Sequence, residues 1–293
     1  MTRILTHLAE IGADYDALFC DLWGCVHNGV APWPEAVAAL QAYRAGGGKV
    51  ILLTNAPRPK KYVIAQLDRL GVPRDAWDDV VTSGDAAQDA MFAGAVGRRV
   101  WFIGTEKDLG FFDDVPAEHA GAAPIERVEL SDAEGIVCTG PFDEFNETPE
   151  DYRSQLLFAK TKGMKLLCAN PDIVVDMGDK RIYCAGALAE LYDRMGGESL
   201  YFGKPHPPIY DLARRRLVQA GGAEDARVLC IGDGVRTDVK GGVVEGLDVL
   251  FVTGGLAAES FGPDVETPEQ TLLDDWLKAE DFESVPYAIG RLR

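Results

Sequence analysis

Short, unbroken apolar runs closed by turn-forming residues set the rhythm of this chain. They fall at 17–19 ahead of Asp21, 50–53 ahead of Thr54-Asn55, 80–81 ahead of Thr82, 228–231 ahead of Gly232-Asp233, and 249–252. Runs this short and continuous predict strands covered on both faces, as in a parallel sheet. Between them, apolar positions recur at helical spacing over 36–43, over 60–70 (stopping at Gly71) and over 209–219. The alternation of strand and helix predicts a doubly wound, Rossmann-like α/β fold. Ahead of the first run, Ile4, Leu5, Leu8 and Ile11 are spaced for a short amphipathic helix. From about 84 to 195 the rhythm restarts, with strands expected at 100–103, 135–138, 165–168 and 173–175 and helices at 150–162 and 186–194. This predicts a core domain of 1–83 plus 196–293, interrupted by an inserted α/β domain of 84–195. The acidic stretch 266–283 reads as a terminal covering segment, docked through Trp276 and Leu277.

Charge narrows the partners. A formal net charge of −18 over 293 residues argues against nucleic acid, whose phosphates require a basic face. An anionic substrate then requires a metal ion or local cations to reverse the field at its site. The six cysteines form no CxxC pair and mostly lie in apolar runs, so buried free thiols are expected rather than zinc or disulfides. No stretch approaches the roughly 18 apolar residues of a membrane span or the apolar core of a signal peptide. A cytoplasmic protein without a membrane partner is expected. Its oligomeric state stays open, a homodimer included.

The candidate chemistry lies at four strand ends: Asp21, Thr54-Asn55, Lys204, and Asp233 with Asp238. Singly, each has an ordinary explanation: an aspartate after a strand is often a turn former or a helix cap. Their order, each behind an apolar run, makes that explanation improbable for the set. Three carboxylates gathered in one crevice repel, and Lys204 supplies one positive charge. A hard divalent cation with oxygen ligands, magnesium by preference, resolves the repulsion and bridges to a phosphate.

From Asp21 through Leu52-Leu53-Thr54-Asn55 and Phe202-Gly203-Lys204-Pro205 to Ile231-Gly232-Asp233-Gly234-Val235-Arg236-Thr237-Asp238, the chain resembles the haloacid dehalogenase-like (HAD) hydrolase superfamily. The insert between the second and third motifs corresponds to that family's second-type cap. Ala169-Asn170-Pro171-Asp172 is similar to the class IIA, nitrophenylphosphatase- and nucleotide-phosphatase-like subgroup. The resemblance implies a magnesium-dependent phosphohydrolase acting on a small phosphorylated metabolite. Asp21 would attack phosphorus and form an aspartyl-phosphate. The Asp21 carboxylate, the Trp23 carbonyl and the Asp233 carboxylate would hold Mg2+, with Asp238 behind them. Thr54, Asn55 and Lys204 would hold phosphoryl oxygens, and Arg58 is a further contact for a substrate phosphate or carboxylate.

One position departs from the family pattern. Phosphatase members carry a second aspartate two residues after the nucleophile, as general acid and base, and here that residue is Trp23. Losing such a group typically lowers the rate 10²- to 10⁴-fold, about 3–5 kcal/mol of barrier. Acyl, anhydride and aryl phosphates, which need little leaving-group protonation, are therefore the expected substrates. His27 and His206 are candidates for partial replacement. Two alternatives follow from Trp23: a weakly active or inactive phosphate-binding regulatory module, and a carbon–halogen hydrolase. The Asp233/Asp238 pair argues against the latter, because it has no purpose without a cation.

Overall fold

The protein is described by a computed structural model covering residues 1–116, 119–177, 180–282 and 285–293. In chain order its strands are β1 (Arg3–Leu5), β2 (Ala17–Cys20), β3 (Lys49–Thr54), β4 (Asp79–Thr82), β5 (Arg99–Ile103), β6 (Glu126–Arg127) and β7 (Gly135–Cys138). They continue with β8 (Lys165–Cys168), β9 (Val174–Met177), β10 (Lys180–Tyr183), β11 (Glu198–Tyr201), β12 (Val228–Gly232), β13 (Asp248–Val252) and β14 (Tyr287–Ile289). Two compact units result. One comprises Met1–Thr54, Ile64–Val81 and Tyr210–Arg293; the other comprises Asn55–Val63 and Thr82–Ile209.

The first unit carries a seven-stranded sheet in the order β1-β14-β13-β12-β2-β3-β4. Its central strands β12, β2 and β3 pair in parallel. Ala17, Leu18, Phe19 and Cys20 of β2 are all buried, which explains why no polar residue interrupts that run. From the β2/β12 pair the chain winds outward in both directions, through β3 to β4 on one side and through β13 to β14 on the other. That reversal is a topological switch point, and ligands of open α/β sheets bind outside the carboxyl ends of such strands.

The second unit holds a parallel five-stranded sheet, β11-β8-β7-β5-β6. Leu156, Leu188 and Tyr192, from the helices Arg153–Thr161 and Ala185–Arg194, lie in the cluster on one side. Met91, Phe92 and Phe111 lie in the other cluster. The antiparallel hairpin β9–β10 stands apart from this sheet. Both halves are thus parallel α/β, as the apolar rhythm predicts.

Several expectations change. The helix predicted from Ile4 to Ile11 is instead strand β1 followed by the 3-10 turns Leu8–Glu10 and Gly12–Asp14. The reason is tertiary: Arg3–Leu5 pairs in parallel with Tyr287–Ile289, a partner more than 280 residues away. The second compact unit runs to Ile209, with β11 paired to β8 in its sheet. The strand expected at 173–175 is one arm of the hairpin rather than part of the sheet. The acidic segment contains the helix Gln270–Ala279, where Leu277 is fully buried and Trp276 stacks on Phe251; Glu283 lies outside the described residues. Among the described residues, no helix is long and apolar enough to cross a membrane.

Candidate active site

Register brings the first two carboxylates together. Cys20 of β2 stands opposite Ile231 of β12, and the Asp21 N–H donates to the Ile231 carbonyl at 2.8 Å. Asp21 and Asp233 therefore leave neighbouring strand ends side by side. Both are buried, at 8% and 5% exposure. Asp21, Cys25 and Asp233 present one donor atom each, all within 4.8 Å of one another. At that separation two carboxylates repel by about 3 kcal/mol for an effective dielectric near 20. That exceeds the net worth of a typical hydrogen bond, about 1 kcal/mol.

Close backbone approach fixes Asp233. Its Oδ2 accepts the Leu256 N–H at 2.9 Å. A β-carbon on either Gly24, which has φ +73°, or Gly255 would collide with this carboxylate. The Gly254-Gly255 pair looks like a plain turn in the sequence, yet Gly255 is what lets the backbone close over Asp233. Asp238 folds back on the same turn: its Oδ2 accepts the Gly234 N–H at 3.1 Å, and a β-carbon on Gly232 would strike its carboxyl group. Among the described residues the donors within reach of one ion are Asp21, Cys25 and Asp233, so Asp238 stands behind the set. Cys25, expected to be only a core thiol, is the donor that the sequence reading misses. Burial, then the charges of Asp233 and Asp21, pushes its thiol pKa well up.

Trp23 is held by its own loop. His27 packs edge-on against the indole, with centroids 5.3 Å apart and planes at 72°. Gly29, at φ +84°, lies so close that a β-carbon there would run into the Trp23 ring. The Gly29 N–H donates to His27 Nδ1 at 3.1 Å. His27 is 1% exposed, and burial lowers its pKa to about 4. It is neutral at pH 7 with Nδ1 occupied, which makes it a support for Trp23 rather than a replacement acid. His206 stacks on Tyr201 at 4.8 Å with planes 12° apart.

The other motif residues divide between the units. Thr54 ends β3, next to β2 in the first sheet, and is buried. Asn55 and Lys204 belong to the second unit, both buried. Asn55 Oδ1 accepts the Lys204 N–H at 2.7 Å. Its Nδ2 donates to the Lys204 carbonyl at 3.0 Å and to Asp172 Oδ1 at 2.8 Å. Both side-chain amide hydrogens are committed, so this side chain clamps the Lys204 backbone. A β-carbon on Gly203 would meet Asn55 Oδ1, Pro171 and Ser83 Oγ. The Asn170-Pro171-Asp172 stretch thus buttresses the lysine loop. Arg58 is partly exposed, and its charge acts on the buried Asp108 carboxylate, whose pKa burial raises.

Residues 18–116 match a family described as haloacid dehalogenase-like hydrolase, and residues 201–277 match a HAD-hydrolase-like family. A crystal structure of a haloacid dehalogenase-like family hydrolase from Brucella suis 1330 shares 43% identity and a TM-score of 0.82, covering 98% of this chain and 99% of that one. The D-glycerol 3-phosphate phosphatase of Mycobacterium tuberculosis is 29% identical over 256 residues, 85% of this chain but 66% of that protein. Crystal structures of glycerol phosphate phosphatase from M. tuberculosis have been solved with calcium and with magnesium. The calcium complex aligns with a TM-score of 0.63 and 26% identity over 87% of this chain and 71% of that one.

Proposed function

This chain belongs to the haloacid dehalogenase-like hydrolase family, and we propose that it is a divalent-metal-dependent phosphohydrolase of the nitrophenylphosphatase-like, class IIA subgroup, with the second unit as its cap. The observation that carries this reading is the convergence of the buried Asp21 and Asp233 carboxylates at the switch point of the first sheet. Their chemistry fits a hard cation: two anionic oxygens, with the Trp23 carbonyl two residues from Asp21 as a neutral third donor. Magnesium is the proposed ion; when bound it offsets the carboxylate repulsion and the charge of the phosphoryl oxygens.

Asp21 then attacks phosphorus in line. One carboxylate oxygen forms the P–O bond of an aspartyl-phosphate as the bond to the leaving oxygen breaks, and that oxygen departs with the electron pair. Thr54 Oγ1 and Lys204 Nζ are proposed to hold the remaining oxygens, the Asn55–Asp172 clamp setting the lysine backbone. Arg58 is the candidate contact for a further anionic group of the substrate. Water subsequently cleaves the acyl phosphate, releasing phosphate and restoring Asp21. The Trp23 indole can neither protonate the leaving oxygen nor activate that water. Small phosphorylated metabolites with stable leaving groups (acyl, anhydride and aryl phosphates) are therefore favoured over alkyl phosphates such as the glycerol and dihydroxyacetone phosphates of the relatives.

The supported Trp23 ring also favours a second reading, a phosphate-binding module with little turnover. Phosphate release from an aryl phosphate separates the two. The phosphatase reading predicts magnesium-dependent release that falls at least about 10³-fold in Asp21→Asn. Background rates across esters and anhydrides, with tight magnesium-dependent ligand binding by calorimetry, would instead establish the module.

A further inference from the structure

Cys25 is a misplaced residue if the site serves magnesium alone. The residue is 1% exposed, and its sulfur lies within 4.8 Å of donor oxygens of both Asp21 and Asp233. The thiol of Cys20, at the end of β2, by contrast donates to the Asp21 carbonyl at 3.3 Å. Among the described residues, Cys25 Sγ has no hydrogen-bond partner. The backbone holds it in place, with the Val26 N–H on the Leu22 carbonyl at 2.8 Å and the Gly24 N–H on the His27 carbonyl at 3.0 Å.

Oxygen-seeking magnesium has no use for a sulfur ligand, whereas softer divalent ions prefer one. A zinc-type ion takes sulfur at about 2.3 Å and carboxylate oxygen at about 2.0–2.2 Å, distances that three donors within 4.8 Å of one another can meet around a single ion. We propose that Cys25 is an additional ligand at the Asp21–Asp233 site for thiophilic divalent cations of the zinc, cadmium and cobalt type. As the sulfur–metal bond forms, the S–H electron pair becomes the donor pair and the proton leaves to solvent. Such an ion holds Asp21 as a ligand and competes with magnesium, so the site discriminates metals through one sulfur. The inference rests on the reading that Asp21 and Asp233 share a cation.

Cobalt reports sulfur ligation directly through its near-ultraviolet charge-transfer absorption. Titrating the intact protein with Co2+ in thiol-free buffer should produce this band, saturating at one equivalent. Cys25→Val and Cys25→Ser should lose it while the other five cysteines remain, and Asp233→Asn should lose it too. Zinc affinity should fall more than about tenfold in the Cys25 variants, since even groups behind a ligand are worth about that much; magnesium affinity should fall less. If the valine variant does not fold, the serine variant removes the sulfur at little change in volume. A band that persists without Cys25, or cobalt bound to the wild type with no band, overturns the inference. Magnesium-dependent phosphate release measured on the same wild-type sample separates the two readings. Turnover without the band sinks the sulfur ligand alone, and the band without turnover upholds it while sinking the phosphatase.

Discussion

At the residue scale the departure at Trp23 is a built feature. The ring occupies space left by Gly29 and rests against His27, so two positions of one loop serve an indole. Trp23→Asp should restore a titratable group beside the nucleophile and raise kcat toward alkyl phosphates, by up to about 10²-fold. An unchanged alkyl-to-aryl rate ratio in a folded variant would show that another group limits the reaction. His27 also makes stability depend on pH. It is neutral in the folded protein down to about pH 4, whereas an unfolded histidine takes its proton near pH 6.5. Between those values the unfolded chain binds a proton that the folded chain refuses. The stabilisation is complete above about pH 6.5 and declines as pH falls toward 4, by up to about 3 kcal/mol. Urea unfolding at about pH 7.5 and 4.5 should show a smaller loss in His27→Gln than in the wild type; equal losses would contradict the assignment.

At the element scale the lysine loop depends on contacts within the second unit. Asn55→Ala removes the side-chain bonds to the N–H and C=O of the buried Lys204, at about 1–3 kcal/mol. It should also lower kcat by about 10- to 10²-fold through misplacement of the lysine. A folded Asn55→Ala enzyme with normal kcat would remove the clamp from the account. The strands β2, β3 and β12 are legible from sequence because each is apolar on both faces and ends in a polar turn. The three-residue strands β1 and β14 are not, since too few residues carry a period and their pairing spans the whole chain. The same limit explains the site. Asp21 and Asp233 announce themselves as strand ends, but Cys25, Gly255 and the Asn55–Asp172 bond arise from register and loop closure. No local pattern encodes those.

At the scale of the whole molecule, a net charge of −18 and two apposed buried carboxylates make cation binding a matter of stability as well as catalysis. An ion that binds the folded state alone raises the unfolding free energy by about 2.7 kcal/mol at 100 times its Kd. Magnesium should therefore raise the melting temperature and a chelator lower it, with the response abolished in Asp233→Asn. A melting temperature indifferent to magnesium would mean that the two carboxylates do not share an ion. The central claim, that Asp21 is aimed at phosphorus, is tested most directly by acid-quenching a single turnover of an aryl phosphate with magnesium and locating phosphate by peptide mass spectrometry. The account predicts a transient, magnesium-dependent phosphoryl group on the peptide containing Asp21, absent in Asp21→Asn. Full turnover with no phosphorylated Asp21, or undiminished turnover in Asp21→Asn, would contradict it.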